Sequence, residues 1–221
     1  MRKPSPPQIV GVIFTRADLQ RAVRMRNPPD LFELRLDAFL GRDDEVEAAL
    51  ADLGAPLIIT ARHPLEGGSN QLSARKRRGL LWRFLPHAAY VDIELRSAGP
   101  FAALLAEVRA KRVRTILSFH DLKKTPSRSR LDEIARVARS LGADLLKIAT
   151  RTDTVAELDR LLDFFRGERL RSDIAAMGIG RLGRASRFEF ARHRSVLHYG
   201  HLRQPQAEGQ LSVAQLRRLL K

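Results

Sequence analysis

Eight short β-rich runs punctuate this chain at nearly even intervals, and no other feature constrains the fold as tightly. They read QIVGVIF, LFELRLD, PLIITAR, YVDIEL, TILSFH, LLKIAT, DIAAMGI and VLHYGH, and begin at Gln8, Leu31, Pro56, Tyr90, Thr115, Leu145, Asp173 and Val196. Their mean separation of about 27 residues suits one strand–helix unit of a compact (β/α)8 barrel. Between them, apolar residues recur at helical spacing: Leu131, Ile134, Ala138 and Leu141; Val155, Leu158, Leu162 and Phe165; Val213, Leu216 and Leu220. Only the segment after the seventh run, around ASRFEFARH, is weakly helical in pattern. No linker or low-complexity stretch interrupts the rhythm. The expectation is an α/β fold, a single (β/α)8 TIM barrel forming one catalytic domain over residues 1–221, with a doubly wound open sheet as the alternative.

Side chains alternate across a strand, so each run divides into two faces. Phe32, Leu34 and Leu36 oppose Glu33, Arg35 and Asp37; Val91, Ile93 and Leu95 oppose Asp92 and Glu94; Leu146 and Ile148 oppose Leu145, Lys147 and Ala149. The outer face of a barrel strand meets helices and is apolar, so the second face points into the lumen. That places Glu33, Arg35, Arg62, Asp92, Glu94, His120 and Lys147 around one interior, from five neighbouring strands. Burying unpaired ions costs several kcal/mol each. A lumen built for stability alone carries Val, Ile and Leu. Satisfied structural ion pairs explain any one of these residues better than they explain the set.

Lys147 is the sharpest case, a cation inside the apolar run DLLKIAT. A desolvated lysine near another cation such as Arg62 is expected to have a lowered pKa. Its neutral amine can then form a Schiff base with a carbonyl, and the iminium acidifies the adjacent carbon. His120, at the end of the neighbouring strand, is placed to move that proton, with a carboxylate such as Glu94 to orient its ring. Arg35, Arg62 and Arg187 are candidates to hold an anionic substrate. The residues therefore point to Schiff-base chemistry on a small anionic carbonyl compound, and both dehydration and aldol cleavage fit.

Composition narrows the field further. There is no cysteine, which excludes disulfides, thiolate metal sites and cysteine nucleophiles, and fits a reducing compartment. The N-terminal MRKPSPPQIVGVIF lacks the length and cleavage site of a signal peptide, and no stretch approaches ~18 apolar residues, so no membrane partner is expected. The formal net charge of +15 admits nucleic acid as a partner, but aromatics are only 6% and no recognition motif appears, so a solvated arginine-rich surface is the simpler account. His63, His87, His193, His198 and His201 have no metal-ligand spacing. GIGRLG, at Gly178, Gly180 and Gly183, matches a dinucleotide fingerprint literally. It lies in the seventh unit with no acidic residue ~20 positions on, so it reads instead as a flexible loop with backbone donors for an anion.

Taken together, ELRLD, TARHPLEGG, VDIEL, SFHDLKKTP, LLKIA, MGIGRLGRASR and the final GQ make the chain resemble the type I 3-dehydroquinate dehydratase (3-dehydroquinase) family over nearly its whole length. The resemblance implies syn-elimination of water from 3-dehydroquinate to give 3-dehydroshikimate, the third step of the shikimate pathway of aromatic amino acid biosynthesis, without metal or organic cofactor. It implies Lys147 as the Schiff-base residue, His120 as general acid/base and Glu94 as the partner that positions His120. It assigns substrate contacts to Glu33, Arg35 and Arg62, the substrate carboxylate to Arg187, packing against the ring to Met177, and a closing loop that carries Gln206 and Gln210. It also implies a cytoplasmic enzyme with a small anionic substrate and no nucleic-acid partner. It admits a homodimer. Two departures stand out. The closing loop reads QAEGQ, with Gln206 where the family has a serine and Glu208 where it has a proline. The loss of the proline is expected to loosen the loop, and Glu208 to bring a negative charge near the substrate. Only MRKPSPP precedes the first strand, whereas family members often have an added segment over the barrel floor. An aldolase-type Schiff-base barrel remains the alternative, with a basic nucleic-acid-binding protein as a weaker one.

Overall fold

The structure, a computed structural model, describes residues 5–220; the expectation about the barrel floor falls partly on residues 1–4 and so lies outside the described residues. The first half of the chain runs β1 (Gln8–Ile13), α1 (Arg16–Val23), β2 (Leu31–Arg35), α2 (Asp43–Ala49), β3 (Leu57–Thr60), α3 (Ala74–Phe84), β4 (Tyr90–Glu94) and α4 (Ala102–Ala110). The second half continues with β5 (Arg114–Asp121), α5 (Arg128–Ser140), β6 (Leu145–Arg151), α6 (Val155–Glu168), β7 (Ile174–Ile179), α7 (Gly183–Arg192), β8 (Leu197–His201) and α8 (Val213–Leu219). All strands are parallel and pair in the order β7-β6-β5-β4-β3-β2-β1-β8. The fold is a TIM barrel, as the even spacing predicts, and the open-sheet alternative is set aside by the pairing of β8 with β1.

The helices form where caps and apolar stripes coincide. Thr15, Thr154 and Ser212 each make a capping box, with Asp18, Glu157 and Gln215 respectively. Ser73 and Ser127 cap α3 and α5. The predicted stripe on α5 is buried through Leu131, Ile134 and Ala138. On α6 the stripe is displaced: Val155, at the first helical position, is 67% exposed, and the buried face is Leu161, Leu162, Phe164 and Phe165. The weakly patterned segment is a full helix, α7, which begins at Gly183 with no side-chain cap. Tertiary packing supports it, since Phe190 is fully buried edge-on against Phe165 of α6.

Between β7 and β8 the barrel is held differently from its other seams. One backbone bond joins the two segments, Val196 N–H to Ile174 O at 3.0 Å. Further up, hydroxyls replace the ladder. Ala176 N–H donates to Ser195 Oγ at 3.2 Å, and Gly178 N–H to Ser186 Oγ at 2.9 Å. The carbonyl of Tyr199, on β8, accepts from the Arg187 guanidinium at 3.3 Å. Buried backbone groups must find partners, and here side chains supply them, which leaves Arg187 at the seam.

Candidate active site

The alternation of each strand sorts the lumen into layers. Val10, Leu31, Ile58, Tyr90, Ile116, Leu145, Ala175 and Leu197, one from each strand, form a buried layer toward the strand N-termini. Two residues further along each strand the layer becomes Val12, Glu33, Thr60, Asp92, Ser118, Lys147, Met177 and Tyr199, all buried. Its charges satisfy one another. Lys147 Nζ donates to Glu33 Oε1 at 3.0 Å and to Asp92 Oδ2 at 2.9 Å, and sits 3.9 Å from the centre of the Tyr199 ring. Arg62 binds Asp92 with both terminal nitrogens, at 3.1 and 2.9 Å. Burial alone would raise the carboxyl of Asp92, but Arg62 and Lys147 override it and hold it well below the ordinary carboxylate range. The cation expected beside Lys147 is there: Arg62 reaches the same Asp92 oxygen, Oδ2, at 2.9 Å and lies 3.9 Å from Glu33 Oε1, so the two cations share two carboxylates.

All of the predicted site residues except Glu94 line one cavity of about 230 Å³ at the strand C-terminal ends: Lys147, His120, Glu33, Arg35, Arg62, Met177, Arg187, Gln206 and Gln210. Glu94 is corrected. It lies behind the cavity wall, where Oε1 accepts from Arg62 at 3.1 Å and from the His63 N–H at 2.8 Å. Its Oε2 accepts from Arg77 at 2.9 Å and Ser97 at 3.0 Å. The carboxylate on His120 is Glu66, from the turn after β3. Its Oε2 lies 3.0 Å from His120 Nδ1 and accepts the His120 backbone N–H at 2.9 Å. Burial and the neighbouring Glu94 push Glu66 up to about 7. Burial, then Arg62 and Lys147, hold the His120 imidazole well below its ordinary value, so the ring is neutral. With Nδ1–H donated to an ionised Glu66, Nε2 is the free base.

Arg187 reaches the lumen from α7 through the β7/β8 seam. It is buried, touches Met177 Sδ at 4.0 Å, and among the described residues has no carboxylate partner and none for its Nε–H. Burial lowers it to about 10. An unpaired guanidinium in a cavity wall is a site for an anion. Arg35 is held at the rim by Asp37, at 3.0 and 2.8 Å.

The closing loop is in place over the cavity. Gln206 N–H donates to Gln210 Oε1 at 2.7 Å, and the Gln206 carboxamide oxygen is buried without a partner. Gly209, at φ +81°, packs so closely on the first turn of α7 that a Cβ would stand 2.5 Å from Arg184 N. This backbone contact holds the loop where the family's proline is missing. Glu208 turns outward, 3.9 Å from Arg151, and does not line the cavity. The GIGRLG turn is not an open anion nest either. Arg181 N–H donates to Asp153 Oδ1 at 2.8 Å, and a Cβ on Gly180 would sit 2.3 Å from that same oxygen. The aldolase alternative thereby loses the feature that favoured a phosphorylated substrate. Among the described residues, no three of His, Asp or Glu are grouped to hold a metal ion.

A sequence model described as type I 3-dehydroquinase matches residues 14–221. The chain belongs to that family. It is a hydro-lyase of the 3-dehydroquinate dehydratase class. The 3-dehydroquinate dehydratase of Thermococcus onnurineus is 33% identical over 216 residues, covering 96% of this chain and 97% of that protein. The Methanocella arvoryzae enzyme is 30% identical over 213 residues, covering 96% and 94%. The solved type I 3-dehydroquinate dehydratase of Clostridium difficile, crystallised with covalently modified comenic acid, superposes with a TM-score of 0.85 at 26% identity, covering 98% of this chain and 91% of that one. Set against the 3-dehydroquinase barrel, face alternation missed two polar side chains of the cavity wall, Glu66 and Tyr199. Glu66 sits in RHPLEGG on a turn, where no strand period operates, and its one signal in the sequence is the TARHPLEGG motif that contributes to the family resemblance. Tyr199 is on β8, whose lumen face the charge pattern did not single out.

Proposed function

We propose that this 3-dehydroquinase converts 3-dehydroquinate to 3-dehydroshikimate through an imine on Lys147. The reaction would be the third step of the shikimate pathway toward aromatic amino acids, carried by the barrel as one catalytic domain. The observation that carries the reading is the sharing of one cavity by the Lys147 amine, the neutral His120 ring and the Arg187 guanidinium, which has no carboxylate partner among the described residues. Arg187 takes the substrate carboxylate and so fixes which way the ring lies. Glu33 Oε1, 3.0 Å from Nζ, is placed to take a proton from Lys147. The amine then attacks the C3 ketone, and the ketone oxygen leaves as water.

The resulting iminium draws electrons from the C2–H bond. Nε2 of His120 takes the C2 proton, and the electron pair forms an enamine. When that pair returns, the C1–O bond breaks and the hydroxyl leaves as water with the proton from His120. One histidine serving both transfers accords with elimination on one face of the ring. Hydrolysis of the product imine returns the ketone oxygen and frees Lys147. The covalent modification named for the Clostridium difficile relative supports a nucleophile in this cavity. We place the enzyme in the cytoplasm, as a homodimer and without a nucleic-acid partner.

Incubation with 3-dehydroquinate tests the function directly. Loss of water yields a conjugated enone, so ultraviolet absorbance should rise in proportion to enzyme. Aldol fragments, or no absorbance change, would reject the assignment.

A further inference from the structure

Glu66 lines two cavities. One is the active cavity; the other, of about 240 Å³, lies on the outer side of the barrel wall between the end of β4 and α5. Leu95, Phe119, Ile134 and Val137 give the outer cavity its apolar lining, with Arg96 and Arg130 beside them. Arg130 is held by Glu133 on its own helix. Arg96 instead points inward, its Nε 3.0 Å from Glu66 Oε1, with the arginine 44% and the glutamate 2% exposed. The two oxygens of one carboxylate are thus divided. Oε2 faces the catalytic histidine and Oε1 faces a solvent-accessible cation.

We propose that Arg96 is a positioning residue for the Glu66–His120 pair: by gripping the outer oxygen it fixes the carboxylate plane and keeps Glu66 ionised, so that His120 presents its free base to the substrate. The inference rests on the reading of His120 as the proton-moving group and deepens it. A carboxylate held at one oxygen can swing, and a protonated one no longer obliges Nδ1 to carry the proton. The charges around Glu66 are Arg62, two residues past β3, His63 from its own turn, Glu94 from β4, Arg96 from the turn after β4, His120 from β5, and Arg130 across the outer cavity on α5. Burial and Glu94 raise Glu66 to about 7, while Arg62 and Arg96 pull the other way. Of these two cations only Arg96 is spare. Arg62 is committed to Asp92, Glu94 and Ser118.

The test is the pH profile of kcat for Arg96→Ala and Arg96→Lys, with thermal unfolding as a check that both fold. Removing the cation raises Glu66 further, so the acid limb should move up in Arg96→Ala by about one pH unit, given partial screening of an exposed partner. That displacement lowers kcat about fivefold at pH 7 and not at pH 9, with KM unchanged. Arg96→Lys should keep the wild-type limb. A limb that does not move, or a loss of equal size at every pH, would overturn the role given to Arg96. Borohydride trapping of the wild-type enzyme separates this failure from a deeper one. A reduced adduct on Lys147 beside an unmoved limb rejects the Arg96 inference alone, and no adduct rejects the reading of the site beneath it.

Discussion

The two lumen layers are built from the same strands by the same alternation, yet they hold opposite chemistry. Toward the strand N-termini, Ile58, Ile116, Leu145 and their neighbours fill the barrel with uncharged side chains, of which only the Tyr90 hydroxyl needs a partner and finds it in Arg114. Two residues further on, Glu33, Asp92 and Lys147, with Arg62 above them, occupy equivalent inward positions and pair their charges with one another, helped by Glu94 and the hydroxyls of Thr60 and Ser118. A buried ion cluster is poor stabilisation compared with packed aliphatics. The contrast therefore separates a layer that maintains the barrel from a layer that stability does not account for and that the proposed reaction would use. Changes in the upper layer and the wall around it should fall on turnover, and changes in the lower layer on stability.

The largest expected effect in the wall is on proton transfer. Glu66→Gln removes the negative charge that favours a proton on His120 Nδ1 and leaves one acceptor oxygen where Arg96 and His120 use two, and kcat should fall by about 10²-fold. The sign of the pH dependence follows from the same group. Glu66 is raised to about 7, so it loses its charge as pH falls through neutrality. The acid limb of the wild-type profile should centre near pH 7, and in Glu66→Gln that limb should disappear. A limb near the usual glutamate value in the wild type would break the assignment.

Next in size is the anion site. Arg187→Gln takes away the seam charge to which the substrate carboxylate is assigned under the proposed function. Steady-state kinetics should give KM raised by about 10- to 100-fold, the range for a lost charged hydrogen bond. A variant affected in kcat alone would place the carboxylate elsewhere. The lower layer should respond oppositely. Ile58→Ala, in a fully buried position, should cost about 2–4 kcal/mol in urea denaturation while leaving kcat within about twofold. A large loss of turnover with stability intact would dissolve the distinction between the layers. Smallest is Glu208→Gln. The side chain is exposed and turned toward Arg151, so KM should change by less than about twofold. A marked gain in affinity would mean that its charge does reach the substrate.

Much of this was legible in the sequence because strand periodicity is rigid. Once the runs were placed, alternation alone put Glu33, Arg62, Asp92, Lys147 and His120 on one interior. Alternation gives the face of a residue but not the tilt of its side chain. Glu94 has the right parity, yet it ends its strand and leans toward Arg77 of α3, while Glu66 enters from a turn that has no period to read. The β7/β8 seam was hidden for a similar reason. Its partners are Ser186, Arg187 and Ser195, on a helix and a loop, and nothing in a strand pattern announces that hydroxyls will replace a ladder. The GIGRLG turn was misread because the residue that occupies its donor, Asp153, belongs to the preceding unit.

The central claim is that Lys147 is the nucleophile of the upper layer. Borohydride reduction during turnover of 3-dehydroquinate, followed by peptide mass spectrometry, tests it most directly. The account predicts one reduced adduct, on Lys147, with inactivation in step with its formation, and no adduct and at least about a 10³-fold loss of kcat/KM in Lys147→Ala. Turnover that proceeds without an adduct, or with the adduct on another residue, would contradict it.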